Sequence, residues 1–273
     1  MIRNPNDIKL GSVQETLLLP LWGRAVESQK RNPLLMDSKA VAIIDSISYD
    51  FSTISKNINN LTRLSWIARS IYFDKKIKAF IKVFPEATIV NIGCGLDTTF
   101  DRVDNGTIHW IDLDLPDTIE LRRKYISETD RNKFISKSVF DTTWYDSINK
   151  KDKVMLLIAG VLYYFDESDI KKLFHDFHIY LPGVEVIFDY ASKLGINVSN
   201  KIVLEKGGMD KSAVLKWGID KIKKIEKWDS NIKVIDHMLM YKEHRKNYSI
   251  VKRMGMTMAD ILKIMSLAHI RIN

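Results

Sequence analysis

The chain has 273 residues, of which 45% are hydrophobic and 28% charged, with six prolines, so it can bury a sizeable core and is not extensively disordered. Its single cysteine, Cys94, excludes an intramolecular disulfide and a multi-cysteine zinc site and favours a reducing, cytoplasmic setting. No apolar run reaches membrane-spanning length and no signal-type segment follows the N-terminus, so we expect a soluble protein that is neither exported nor membrane-spanning.

The net charge of +8 is concentrated in the last third of the chain. Residues 191–273 contain 17 Lys and Arg against 8 Asp and Glu, whereas residues 1–190 contain 25 against 26. Such an excess can attract nucleic acid or an acidic small molecule, or it can be a solvated lysine-rich surface. Because most of these residues are lysines spread along the segment, we favour the solvated surface and do not expect a nucleic-acid partner.

An apolar patch and two helical stretches precede the first strand. We expect Asp37 or Ser38 to cap the first helical stretch. The second stretch is predicted to contain two consecutive helices, the later of which ends at Pro85. The patch and the two stretches cover residues 11–31, 37–48 and 60–84. We therefore predict a helical N-terminal extension over residues 1–84.

Strands and helices then alternate, which predicts an α/β fold with a parallel sheet covered by helices on both faces. The predicted strands are residues 88–92, 107–113, 153–159, 183–188, 233–240 and 269–272, with a further short strand within residues 133–139. The predicted helices or helical turns are residues 98–102, 117–126, 166–180, 219–227 and 258–266. We expect residues 85–273 to form the core domain, with a cap insertion at about 191–230.

The first strand ends in a turn with two glycines, and the candidate cofactor residues here are Gly93, Cys94, Gly95, Asp97 and Thr98. The third glycine of a dinucleotide fingerprint and the lysine of a P-loop are absent, and Asp97 places a carboxylate where a phosphate would lie. A cationic ligand such as S-adenosylmethionine fits better. The alternative is a tight turn without a ligand.

The ends of the next two predicted strands add candidates for the two halves of an adenosine. Asp112, Leu113 and Asp114 end the second strand, where paired carboxylates could accept hydrogen bonds from the ribose hydroxyls, although Asp114 could instead cap the next helix. The residues beside the adenine would be Val139, Phe140 and Asp141, although Phe140 could equally belong to the core.

Several spaced motifs together resemble the leucine carboxyl methyltransferase family. The match looks closest to its bacterial branch, which is similar to polyketide O-methyltransferases of the tetracenomycin type. The motifs are residues 16–25, Arg69 with Phe73-Asp74, residues 90–98, residues 112–116, Asp141 with Trp144, residues 159–164, residues 192–195 and residues 207–209. The resemblance implies a class I methyltransferase: a Rossmann-like, doubly wound, seven-stranded sheet with one antiparallel strand, which uses S-adenosylmethionine and releases S-adenosylhomocysteine.

The resemblance also assigns roles to single residues. It implies that Arg69 binds the methionyl carboxylate, a role that suits a guanidinium, whereas without it Arg69 reads as a surface residue. It adds Ala159 and Gly160 to the cofactor site. Carboxyl-methylating members carry Glu where this chain has Ala159, so we expect a small-molecule hydroxyl or carboxylate acceptor rather than a protein C-terminus.

Candidate acceptor-site residues follow from their positions at strand ends, in the cap or near the N-terminus: Arg24, Tyr163, Tyr164, Asp189, Tyr190 and Trp217. Trp217 could instead only anchor the cap. No metal-ligand spacing and no catalytic residue stand out, since methyl transfer mainly requires alignment. Alternatives are a nucleic-acid methyltransferase, a cofactor-binding module without turnover and a nicotinamide dehydrogenase. The oligomeric state stays open, homo-oligomers included.

Overall fold

The structure is a computed structural model that describes residues 12–47, 49, 51, 58–149, 151–206 and 214–273. Seven strands form one sheet in the order β3-β2-β1-β4-β5-β7-β6. They are β1 (Thr88–Ile92), β2 (His109–Asp114), β3 (Asn132–Ser136), β4 (Val154–Ile158), β5 (Val184–Tyr190), β6 (Ile232–Leu239) and β7 (Ser266–Ile272). Because only β7 runs against its neighbours, the predicted doubly wound sheet with one antiparallel strand is confirmed.

Helices cover both faces of the sheet. They are α1 (Ser12–Ser28), α2 (Ser38–Ser46), α3 (Asn60–Val83), α4 (Thr99–Val103), α5 (Pro116–Arg123), α6 (Glu167–Tyr180), α7 (Lys193–Lys206) and α8 (Ile250–Ile261). One face of β1, β4 and β5 packs with α6, and the other packs with α3. The strands are apolar throughout because both faces are covered.

Local signals explain several boundaries. The Asp37 carboxylate accepts a hydrogen bond from the backbone N–H of Ala40 at 2.9 Å, so Asp37 caps α2 as predicted. Asn59 caps α3 by accepting from the N–H of Thr62 at 2.8 Å. Helix α3 ends at Val83, two residues before Pro85, whose predecessor is disfavoured in helical conformation.

Three predicted elements are corrected. Residues 60–84 form one helix, because α3 is buried on several sides and has no single apolar stripe to define its period. The segment at 219–227 contains only a short 3-10 helix, Ile222–Lys227. The last helix is residues 250–261 rather than 258–266.

The predicted cap at 191–230 contains α7 and the short 3-10 helix, and residues 207–213 of it lie outside the described residues. The division into an extension over residues 1–84 and a core over residues 85–273 stays a prediction. Among the described residues, no helix is long and apolar enough to cross a bilayer.

Candidate cofactor and acceptor site

The glycine turn after β1 is held tightly between β2 and the loop after β4. Gly93 and Gly95 have φ values of +65° and +47°, which glycine adopts without strain. The N–H of Gly93 donates to the carbonyl of Leu113 at 2.8 Å. A Cβ on Gly93 would lie 2.3 Å from Val161 Cγ2, and one on Gly95 would lie 2.9 Å from Leu17 Cδ2. Only glycines therefore let these segments meet at the carboxyl edge of the sheet.

Asp114 ends β2 beside this turn. Its carboxylate accepts hydrogen bonds from the N–H groups of Gly95 and Leu115, both at 2.8 Å. Burial raises the pKa of Asp114, and the two N–H donors oppose that rise. The side chain is only partly enclosed, so it keeps acceptor capacity that a ribose hydroxyl could use.

Asp112, predicted as a ribose ligand together with Asp114, lies buried beneath the glycine turn, and its contact with a ribose stays a prediction. It is 0% exposed, and one carboxylate oxygen pairs with Arg122 Nη2 at 2.7 Å. The other oxygen accepts from Trp110 Nε1 at 2.9 Å and from Asn91 Nδ2 at 3.0 Å. Arg122 also donates to the carbonyls of the glycine turn. Asp112 therefore holds Arg122 in the position from which it binds the turn.

Leu113 is a core residue, and its backbone carbonyl accepts the hydrogen bond from Gly93.

The end of the turn joins a buried cluster of charges. Asp37 Oδ2 accepts from Arg24 Nε at 2.8 Å, from Arg102 Nη1 at 2.7 Å and from Thr98 Oγ1 at 2.6 Å. Arg24 also lies 3.5 Å from Asp97. Although burial alone would raise the pKa of Asp97, Arg24 and then Arg102 lower it to about 2.

Arg24, predicted to meet the acceptor, belongs to this cluster, and its contact with an acceptor stays a prediction. Arg24 is 3% exposed and committed to Asp37, and Thr98 is 0% exposed and bound to the same carboxylate. Cys94 is also buried, and burial raises the pKa of its thiol. These residues shape the turn rather than line an open crevice.

Arg69 lies at the opposite side of the turn, above the ends of β4 and β5. Its Nη1 pairs with Asp189 Oδ2 at 2.8 Å, and Asp189 Oδ1 accepts from the N–H of Gly160 at 2.7 Å. Gly160 has a φ of +75°, and a Cβ there would lie 2.9 Å from Arg69 Nη1. Tyr163 is 5% exposed, and its hydroxyl lies close to the Asp189 carboxylate. Burial, and then the Asp189 charge, raise the pKa of Tyr163 far above its usual range.

The predicted adenine side is formed by the loop after β3. Phe140 is half-buried and meets Phe165 edge to face, with ring centroids 4.9 Å apart. The carbonyl of Val139 accepts from Trp144 Nε1 at 3.0 Å. Asp141 accepts from the N–H of Thr143 at 3.0 Å, which caps the 3-10 helix Thr142–Ser147. Asp141 therefore has a structural role as a helix cap, and its contact with the adenine amino group stays a prediction.

On the acceptor side, Tyr164 is 36% exposed and its ring is available at the surface of the site. Tyr190 and Trp217 belong to the main core, which favours the alternative that Trp217 anchors its segment, and their contacts with an acceptor stay predictions. Trp217 anchors its segment in the core. The backbone N–H groups of Trp217 and Lys216 donate to the backbone carbonyl of Tyr163 at 3.1 and 2.6 Å.

Sequence reasoning missed Arg122, Arg102 and Leu17. The signal for Arg122 was its position in the helix that follows β2, from which a long side chain reaches back under the glycine turn. Leu17 belongs to the apolar patch before Pro20, and only its contact with Gly95 reveals its place. Arg102 carried no signal, because both of its carboxylate partners lie far back in the chain.

The strand order, and the glycine turn beside the carboxylate that ends β2, define the class I methyltransferase fold. Residues 18–178 match the leucine carboxyl methyltransferase family, and the chain belongs to that family.

Two curated proteins and two solved structures are similar to this chain. Tetracenomycin polyketide synthesis O-methyltransferase TcmP of Streptomyces glaucescens is 33% identical over 183 residues, 67% of each chain. An S-adenosyl-L-methionine-dependent methyltransferase of Gibberella zeae is 24% identical, covering 94% of this chain and 93% of its own. A Thermobifida fusca YX structure described as a methyltransferase superposes with a TM-score of 0.65 at 11% identity, covering 100% and 99% of the two chains. Magnesium protoporphyrin IX methyltransferase ChlM from Synechocystis PCC 6803, with bound S-adenosylhomocysteine, gives 0.50 at 12% identity and 86% and 100% coverage.

Proposed function

We propose that this methyltransferase acts on an oxygen atom of a small organic molecule, either a hydroxyl or a carboxylate. The observation that carries the proposal is the 33% identity to an O-methyltransferase of polyketide synthesis. Tyr164, exposed beside the Arg69 and Asp189 pair, offers an aromatic surface to a flat acceptor.

The residues around the turn fit S-adenosylmethionine. Asp114 is only partly enclosed at the end of β2, and Arg69 makes one hydrogen bond that the described residues account for, so both side chains keep hydrogen-bonding capacity for a ligand. Asp114 would hold the ribose, Phe140 would pack beside the adenine, and Arg69 would bind the methionyl carboxylate. When bound, the cofactor supplies the electrophilic methyl group.

The chain's own contribution is to bind, orient and exclude water, and well-oriented reactants can contribute about 7–11 kcal/mol. A carboxylate acceptor is already ionised at neutral pH, whereas a hydroxyl must lose its proton during transfer. The two acceptor classes therefore make different demands on the site.

The test uses the full chain with S-adenosylmethionine carrying a ¹³C-methyl group and a panel of phenols and aromatic acids. Methyl ethers survive mild alkali, whereas methyl esters release methanol, so alkali treatment of the products separates the two acceptor classes. Labelled small-molecule ether or ester is the expected result. Label found only on nitrogen, carbon, protein or nucleic acid would overturn the proposal.

A further inference from the structure

Two adjacent strand ends carry different residues on the face of the sheet that packs against α3. The last paired residues of β4 and β5 are Ile158 and Phe188. Ala159 directly follows the last residue of β4, and Asp189 is the next residue of β5. Ala159 packs with the α3-side core, as do Leu157 and Ile187 two residues before each position. Since side chains alternate along a strand, Asp189 points to the same face as Ala159.

Neighbouring parallel strands lie about 4.8 Å apart, so a carboxylate on one strand can reach the space above the other. Asp189 does so: its Oδ1 accepts from the N–H of Gly160 at 2.7 Å, directly after Ala159. The small side chain of Ala159 leaves that space to the Asp189 carboxylate.

The Asp189 carboxylate and the Arg69 guanidinium form a neutral buried pair, with Asp189 0% and the Arg69 side chain 11% exposed. Although burial alone would lower the pKa of Arg69, the Asp189 charge raises it. Arg69 makes one hydrogen bond that the described residues account for, so its other N–H groups remain for a ligand.

A zwitterion can enter such a pair without leaving a net charge buried, because its anion faces the guanidinium and its cation faces the carboxylate. The methionyl end of the cofactor is such a zwitterion. We propose that Asp189 binds the α-ammonium group of the cofactor, and so supplies from β5 the carboxylate that the Ala159 position on β4 lacks. Asp189 is thus a cofactor residue rather than an acceptor residue.

The position of Tyr163 supports this assignment. Its buried hydroxyl lies close to the Asp189 carboxylate, where a bound amino-acid group would offer it a further hydrogen-bond partner. The inference requires cofactor binding but no particular methyl acceptor, so it stands or falls separately from the proposed O-methylation.

The experiment measures binding by calorimetry with two probes. S-adenosylhomocysteine carries the amino-acid group, and 5′-methylthioadenosine lacks it. In Asp189→Asn we expect the Kd for S-adenosylhomocysteine to rise at least 30-fold, while the Kd for 5′-methylthioadenosine changes less than about threefold. Retained methylthioadenosine binding also shows that the variant is folded. Ala159→Glu combined with Asp189→Asn is expected to recover most of the lost affinity.

Unchanged S-adenosylhomocysteine affinity in Asp189→Asn would overturn the proposal. An equal loss with both probes would also overturn it, because Asp189 would then only hold the shape of the site. If Asp189→Asn does not fold, the double variant, in which Arg69 regains a carboxylate, decides the matter. If the double variant binds S-adenosylhomocysteine more tightly than 5′-methylthioadenosine, a carboxylate at position 159 can replace the one at position 189, which supports the proposal. If a folded double variant shows no such preference, the proposal is overturned.

Discussion

Replacing Gly93 with alanine tests the packing of the cofactor turn. Gly93 has a φ of +65°, where a residue with a Cβ loses about 1–2 kcal/mol. The new Cβ would also lie 2.3 Å from Val161 Cγ2, and overpacking of this kind typically costs about 1–3 kcal/mol. We therefore expect Gly93→Ala to lower the free energy of unfolding by roughly 2–5 kcal/mol and to weaken S-adenosylhomocysteine binding.

Gly106 supplies a matched control for the backbone cost. Its φ is +85°, and a Cβ there would meet nothing within 4 Å. Gly106→Ala should therefore lose only the conformational part, about 1–2 kcal/mol, and leave cofactor affinity unchanged. The difference between the two alanine variants isolates the overlap with Val161.

Val161→Ala should relieve that overlap. In a double-mutant cycle measured by urea unfolding, we expect Gly93→Ala and Val161→Ala to couple favourably by about 1–3 kcal/mol. Equal losses in the variants of Gly93 and Gly106, or a coupling near zero, would refute the reasoning. The loop after β4 would then not determine how closely the turn can be packed.

Three further predictions concern acidic residues of the same edge. Asp112→Asn should cost about 3–5 kcal/mol in urea unfolding, because it leaves the Arg122 charge buried without its carboxylate, and a smaller loss would count against a structural role. Asp114→Asn should leave the free energy of unfolding largely unchanged but weaken S-adenosylhomocysteine binding about tenfold, as expected for one lost hydrogen bond to a charged group. Unchanged affinity would show that Asp114 does not bind the ribose. Arg24 and Arg102 lower the pKa of Asp97 to about 2, below the usual value for an aspartate of about 3.9. The unfolded chain therefore takes up this proton first as the pH falls, and the contribution of Asp97 to stability, about 2 kcal/mol, is present above about pH 4 and lost towards pH 2. Asp97→Asn should flatten that part of the curve of stability against pH, and an unchanged curve would contradict the assigned shift.

The fold was predictable because its core strands are short apolar runs separated by strong turn signals. Thr88–Ile92 has the predicted bounds, and the antiparallel last strand confirms the expectation from the family resemblance. Where the pattern was ambiguous, the prediction failed. The apolar residues of α8 include Ile250, Val251 and Met254, which are 67–79% exposed, so apolar spacing did not mark a buried face there.

The site was less predictable than the fold because its shape depends on which charges pair. Spacing placed a glycine turn after β1 and two carboxylates at the end of β2, but it could not separate enclosed Asp112 from partly exposed Asp114. The pairing of Arg69 with Asp189 spans 120 residues of chain. No periodicity connects such positions, and only the strand register brings them together.

The charge pairs also tie the N-terminal helices to the cofactor turn. Arg102, on the short helix after the turn, is buried and pairs with two carboxylates, Asp37 and Asp74. Both belong to the predicted extension over residues 1–84, and Thr98 of the turn also binds Asp37. Residues 85–273 alone would lack both carboxylates, so the Arg102 guanidinium would lose its partners. Removing the partner of a buried charge is strongly destabilising. We infer that the boundary at residue 85 separates two parts of the sequence but not two independently stable units. The extension is required to hold the cofactor turn in place.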